Sequence, residues 1–340
     1  MQLFMKNLAA LLCAYFIAIS AQAAATSDIK FSDRPLEDAI ILPDWFKLSF
    51  LELASDIQEA KENHKKGIIV YFSQEYCPYC KAHLENNWGQ KDIISYTQKY
   101  FDVIAINVKG QKPVVDLDGK TYTEKSFASR LHTDFTPSIL FYNTEGKIVL
   151  RLRGYRPPYQ FRAALEYVAG DHYKREPFRH YLARAESAMS YGKEELNSND
   201  AFNPPPYLLD RSHIAAERPL MVVFERKRCH SCDILHGGPL ARPEIETQLL
   251  NMDAVQLDIY STTPVITPGG EKTSAKKWAE ELDINYTPTM IFFDQKGKEI
   301  IRIDSVVWFY RLRNVMNYVL SGGYKKYPTF QLWRQSKNMR

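Results

Sequence analysis

The sequence predicts an α/β protein built from two tandem copies of one domain, each a sheet core covered by helices. Two observations carry this expectation: an internal repeat, and strand-type apolar runs that alternate with helical periodicity. Tyr286-Thr287-Pro288 echoes Phe135-Thr136-Pro137 at an offset of 151 residues. The same offset relates Gly119 to Gly270, Leu131 to Leu282, Gly146-Lys147 to Gly297-Lys298, Arg151 to Arg302 and Tyr167-Val168 to Tyr318-Val319, and it still holds at Tyr173-Lys174 and Tyr324-Lys325. A period this long marks a duplicated domain rather than a solenoid.

The elements of the first copy follow from pattern. Phe50 to His64 has helical apolar spacing, and Gly67 is expected to end that helix. Ile68 to Phe72 is a continuous apolar run of buried-strand type, and Phe101 to Ile106 reads as a second buried strand. A helical stretch follows from Lys81, and another begins over Ser126 to Leu131. Ser138 to Tyr142 and Ile148 to Arg153 form strands around a Glu145-Gly146 turn, and a helix at Tyr159 to Ala169 closes the unit. The second copy repeats the order with Leu220 to Phe224, Val255 to Asp258, Thr289 to Phe293, Glu299 to Ile303 and a helix near Tyr310 to Leu320. Strands alternating with helices imply a sheet covered by helices. Between the copies, the polar stretch Glu194 to Pro206 ends in three prolines and reads as a stiffened linker.

Length and composition set the class. A chain of 340 residues with 45% hydrophobic content suits two domains with cores of normal size. The formal charge of +4 is too small to argue for nucleic acid or an anionic membrane surface. Residues 1–25 read as a secretory signal: Lys6 supplies a positive start, Leu8 to Ile19 an apolar run too short to span a bilayer comfortably, and Ala21-Gln22-Ala23 a small-residue cleavage pattern. Cys13 falls within that run and is expected to leave with it. No later segment is long and apolar enough to span a membrane, so the expectation is a soluble periplasmic protein after cleavage. The organisation expected is a signal peptide at 1–25, a first domain at 26–180, a linker at 181–206 and a second domain at 207–340.

The remaining four cysteines form two Cys-x-x-Cys pairs, Cys77/Cys80 and Cys229/Cys232, 152 residues apart. An exported chain with no scattered cysteine is not a disulfide-stapled scaffold. Each pair follows a buried strand and opens a helix. Unpaired N–H groups and the positive end of the helix dipole both favour a thiolate there, so the first cysteine is expected to ionise below its free value of about 8.5. The thiolate is the nucleophile of disulfide exchange, and the second thiol lies one turn away, close enough to resolve a mixed disulfide. Cys77 and Cys229 are therefore the expected attacking thiols, and Cys80 and Cys232 the resolving ones.

With these residues in place, nearly all of both copies resembles the thioredoxin superfamily, implying two thioredoxin-like domains, each with a central mixed β-sheet flanked by helices. Pro137 and Pro288 match that superfamily's cis-proline, so the resemblance implies that Thr136, Pro137, Thr287 and Pro288 line the substrate site. More narrowly, the long insert before each Thr-Pro and the Phe292 to Lys298 hairpin resemble the SoxW-type thioredoxin-related proteins. The resemblance implies a periplasmic reductase or isomerase acting on protein thiols and disulfides. It implies no metal or organic cofactor, and an electron donor of the membrane DsbD type. Two family features are missing. Tyr76 and Arg228 stand where tryptophan usually precedes the first cysteine, and Tyr71 and Val223 stand where a buried acid usually assists the resolving thiol.

Alternatives remain at this level. Zinc would need a second ligand pair nearby, and covalent haem would need histidine where Lys81 and Asp233 stand. An inert structural disulfide, net oxidase activity and a non-catalytic peptide-binding module stay open, because fold alone does not fix function. Tyr79 either contacts substrate or covers the disulfide. His230 is either a redox residue or a solvated loop residue. His83 and His236 are expected on helix surfaces. Lys227, Arg228 and His230 flank Cys229, whereas Cys77 has Glu75 beside it, so the lower thiolate pKa is expected at Cys229.

Overall fold

The computed structural model of this chain describes residues 32–133, 135–186 and 193–339. The signal peptide expected at 1–25 lies outside the described residues. Among the described residues, no helix is long and apolar enough to cross a membrane.

In the first copy, α1 (Leu53–Glu62) precedes β1 (Gly67–Ser73), and α2 (Pro78–Ala82) runs into one π-helical turn at His83–Asn87. Then come α3 (Lys91–Tyr100), β2 (Phe101–Asn107), a small hairpin of β3 (Pro113–Val115) and β4 (Thr121–Thr123), and α4 (Glu124–Arg130). The hairpin strands β5 (Ser138–Asn143) and β6 (Ile148–Arg153) lead to α5 (Pro158–Ala169) and α6 (Phe178–Glu186). The sheet order is β2-β1-β5-β6, with β1 parallel to β2 and antiparallel to β5. All seven residues of β1 are buried, so its alternating side chains serve two cores. Ile69 and Tyr71 join Trp88, Phe141 and Phe161 on the face covered by α3 and α5. Ile68, Val70 and Phe72 join Leu53, Ile57 and Phe127 on the face covered by α1 and α4.

The second copy repeats the plan. A short strand β7 (Tyr207–Leu208) precedes β8 (Leu220–Glu225), α7 (His230–Gly237), α8 (Pro243–Leu249) and β9 (Asp253–Asp258). A hairpin of β10 (Pro264–Ile266) and β11 (Lys272–Ser274) leads to α9 (Ala275–Glu281), then β12 (Thr289–Phe293) and β13 (Glu299–Ile303). Three helices finish the chain: α10 (Phe309–Leu320), α11 (Gly323–Lys326) and α12 (Phe330–Ser336). The sheet order β13-β12-β8-β9 is that of the first copy, with the same parallel and antiparallel pairings.

Three expectations need correction. Gly67 does not end a helix but opens β1. It has φ 146°, and a Cβ there would collide with the Tyr142 carbonyl; His64, at φ 56°, takes the left-handed turn after α1 instead. The boundary expected between residues 180 and 181 falls inside α6, and the described part of the expected linker is not free. The Arg228 N–H donates to the Lys193 carbonyl at 2.7 Å, Gln256 Nε2 to the Asn197 carbonyl at 2.9 Å and the Asn203 N–H to the Ala254 carbonyl at 2.8 Å. Main-chain groups of this segment thus find their partners on the second copy. Finally, His83 and His236 are not on helix surfaces: His83 is fully buried, and only 7% of the His236 side chain is exposed.

The two copies pack directly on one another. Phe135, from the first Thr-Pro loop, lies in the core cluster of the second copy, 5.6 Å from the ring of Phe330. Arg156 is buried with its guanidinium 4.7 Å over the Tyr286 ring, donates to Asn285 Oδ1 at 3.1 Å and lies 3.9 Å from the Asp304 carboxylate. Arg153 reaches the same carboxylate at 3.3 Å. The C-terminal helix α12 is docked, with Phe330 and Trp333 buried.

Candidate active sites

Each Cys-x-x-Cys stands where a buried strand gives way to a helix. Cys77 is the N-cap of α2, and its sulfur accepts the Cys80 N–H at 3.0 Å. Cys229 is the N-cap of α7, and its sulfur accepts the Cys232 N–H at 3.2 Å. This is the donor arrangement that favours a thiolate at the first position after reduction. Both pairs are disulfide-bonded, with Cα atoms 5.2 Å apart in each.

The Thr-Pro segments lie beside these sulfurs. The Thr136–Pro137 and Thr287–Pro288 peptide bonds are cis. Cys77 Sγ lies 3.2 Å from Thr136 Oγ1 and 3.6 Å from the Thr136 carbonyl oxygen. Cys229 Sγ lies 3.5 Å from Thr287 Oγ1 and 3.7 Å from its carbonyl oxygen. Residues far apart in sequence thus meet in each copy because β5 and β12 pair with β1 and β8, carrying the preceding loop to the head of the helix.

Two residues that sequence reasoning missed complete this arrangement. Gln74 Nε2 donates to Thr136 Oγ1 at 3.1 Å, and Arg226 Nε donates to Thr287 Oγ1 at 3.3 Å. They share the 152-residue offset of the cysteine pairs, and that shared register was the signal that could have found them. A third is Glu225, at the end of β8. It is fully buried, accepts from Gln256 Nε2 at 2.7 Å and lies 3.0 Å from His236 Nε2. His236 stands one helical turn after Cys232, on the same face of α7. The second copy therefore holds a buried acid two positions after Val223, where the usual one is missing. Under the first centre the groups are neutral: Tyr71 donates to the Cys80 carbonyl at 3.4 Å and stacks on His83, whose pKa burial pushes down to about 3.

The two centres differ in their surroundings. Tyr79 is buried. Its hydroxyl donates to Asp33 Oδ2 at 2.9 Å and accepts the Trp308 N–H at 2.9 Å, while the Arg311 guanidinium lies 3.3 Å over its ring. Tyr79 thus faces the second copy. Arg311 Nη2 also donates to the Thr136 carbonyl at 2.8 Å. At the second centre His230, Ser231 and Thr287 stay partly exposed, Lys227 and Arg228 are exposed, and among the described residues no side-chain nitrogen donates to the Thr287 carbonyl. A groove of about 140 Å³ runs from Thr287 between Arg226, Lys276 and Tyr286 and, from the first copy, Arg179 and His180.

A cysteine pair capping a helix beside a Thr-cis-Pro edge, built twice on the same mixed sheet, defines a tandem protein equipped for thiol–disulfide exchange. Residues 53–169 and 211–320 each match the family model of the thioredoxin-like domain, and the chain belongs to that family. No curated protein matches it. Among solved structures it is similar to a thioredoxin-fold protein from Helicobacter pylori, at 18% identity over 41% of this chain and 86% of that one, with a TM-score of 0.32. It is also similar to a thioredoxin from Thermus thermophilus, at 18% identity over 32% and 80% of the two chains, TM-score 0.26. A third is the DsbH oxidoreductase, at 12% identity over 38% and 91%, TM-score 0.27.

Proposed function

We propose that this protein is a periplasmic thiol–disulfide oxidoreductase that works in the reductase or isomerase direction on protein cysteines. The observation that carries the reading is the pairing, in both copies, of a helix-capping sulfur with a threonine carbonyl and hydroxyl within 3.7 Å. Reduction of each centre takes two electrons from a donor dithiol, which becomes a disulfide. The first cysteine leaves as a thiolate and the second as a thiol. In the forward step, the thiolate of Cys77 or Cys229 attacks a substrate disulfide, and Cys80 or Cys232 then releases the reduced substrate. Thr287 and Pro288 receive the substrate at the second centre, where Thr287 and His230 are partly exposed. The signal-like residues 1–25 support the periplasmic location. The resemblance to SoxW-type proteins and periplasmic reductases supports the direction and an electron donor of the membrane DsbD type.

Insulin reduction driven by a thiol donor tests the activity. Acceleration by the wild-type chain, lost in the Cys77→Ser/Cys229→Ser double variant, is the expected result; no acceleration would favour a peptide-binding module. Cys80→Ala and Cys232→Ala, expressed in the periplasm, stall mixed disulfides and name the partner of each centre separately.

A further inference from the structure

Arg311 belongs to α10 of the second copy, yet its guanidinium ends in the first centre. Nη2 donates to the Thr136 carbonyl at 2.8 Å, the oxygen from which Cys77 Sγ stands 3.6 Å away. Nη1 is shielded from solvent and has no hydrogen-bond partner among the described residues. Among the described residues no carboxylate lies within ion-pair distance of the guanidinium. Asp33 instead accepts the Arg311 main-chain N–H at 2.8 Å and the Tyr79 hydroxyl at 2.9 Å. A cation removed from water without an ion pair is costly, and its presence calls for a compensating negative charge. The Thr136 carbonyl that the guanidinium holds is the oxygen beside Cys77 Sγ, so a charge formed on that sulfur lies close to the cation.

We propose that Arg311 is a positioning residue supplied by the second copy to the Cys77–Cys80 centre, holding the Thr136 carbonyl and stabilising the Cys77 thiolate released on reduction. The inference rests on the thiol–disulfide reading above. The step is the two-electron reduction of the Cys77–Cys80 bond by a dithiol. The donor leaves as a disulfide, Cys80 keeps one proton, the other goes to solvent, and Cys77 remains as the anion beside the guanidinium.

The charged and titratable groups around this centre come from several elements. Glu75, Tyr79 and Lys81 belong to its own strand–helix junction, with Lys81 3.8 Å from Glu85. Asp33 comes from the segment before α1 and Lys109 from the loop after β2. Arg311 and Arg334 come from α10 and α12; Arg334 is itself influenced by Arg311 and Tyr79. Burial draws the Arg311 guanidinium below its ordinary value, while Tyr79 and Asp33 oppose that shift. The flanking-charge argument that gave Cys229 the lower pKa leaves out these two arginines, because both lie far downstream in sequence.

The test uses the full chain with Cys229→Ser and Cys232→Ser, so that one redox centre remains. The reduced protein is titrated by ultraviolet thiolate absorbance. Arg311→Gln is expected to raise the Cys77 midpoint by about one pH unit, and Arg311→Lys to retain most of the lowering. Equilibration of Arg311→Gln with glutathione should show the centre about tenfold harder to reduce, equivalent to ~30 mV for this couple. Asp33→Asn removes the opposing carboxylate and should move the midpoint downward. A merely structural role would move both variants the same way. An unchanged midpoint in Arg311→Gln overturns the proposal. Should that variant not fold, an unchanged or raised midpoint in Asp33→Asn does so. Insulin turnover by Cys77→Ser/Cys80→Ser reports the second centre alone, so failure of the oxidoreductase reading is seen separately from failure of this one.

Discussion

Glu225, His236 and Gln256 form a buried polar group beneath the second disulfide. Its placement one turn from Cys232 suits it to accept the proton of the resolving thiol, the task usually given to an acid at the position of Val223. Glu225→Gln preserves the volume but removes the charge, and it should slow release of substrate from the Cys229 mixed disulfide by roughly 10²-fold. Single-turnover kinetics would show this as a stalled intermediate with an unchanged attack rate. His83 supplies a second prediction at this scale. Its folded-state pKa of about 3 lies below the ordinary value of 6.5, so between these limits the unfolded chain binds the extra proton. Stability from neutral His83 is complete above pH 6.5 and declines on acidification towards pH 3, by about 1.4 kcal/mol per unit. Urea titrations at neutral and acidic pH should show this slope, and His83→Phe should flatten it. The cysteines and the Thr-Pro steps were legible because each recurs in register. Glu225 was not, because its counterpart in the first copy is Ser73 and burial of a carboxylate leaves no mark in a sequence. The two histidines were misread for a similar reason: a polar residue on a helical pattern looks solvated until the packing around it is known.

Elements were read best where one physical signal dominated. The unbroken apolar runs within β1, β8 and β12 read as strands buried on two faces, and they are. The inserted hairpins β3–β4 and β10–β11 were missed because three-residue strands carry no measurable alternation. Gly67 was misassigned since a glycine after a helical pattern ordinarily marks its end. Its actual duty is to let β1 pass the Tyr142 carbonyl at φ 146°, a conformation that a side chain strains. Gly67→Ala should therefore destabilise the first copy by roughly 1–3 kcal/mol or more, through strain plus displacement of β5. The loss would appear as a lower urea midpoint of the whole chain. An unchanged midpoint would mean that the β1–β5 pair yields without cost.

At the scale of the whole molecule the two copies form one packed body. Asp304 of the second copy faces Arg153 and Arg156 of the first, and Arg156 is almost wholly buried. Removing the carboxylate takes an ion-pair partner from that buried cation. Asp304→Ala should cost about 3 kcal/mol, read as earlier unfolding in urea and as separation of one cooperative transition into two. A single unshifted transition would show that Phe135 and the α12 contacts hold the copies together without it.

What the sequence alone determined is whatever recurs or is local: the duplication, the strand–helix alternation, both cysteine pairs at helix starts and the Thr-Pro segments that accompany them. Backbone periodicity and near-neighbour chemistry encode all of these. Only the tertiary structure decided that the second copy covers the first centre. The reason is that Arg311, 175 positions from Thr136, reaches its carbonyl through a packing of one copy on the other that no local pattern records.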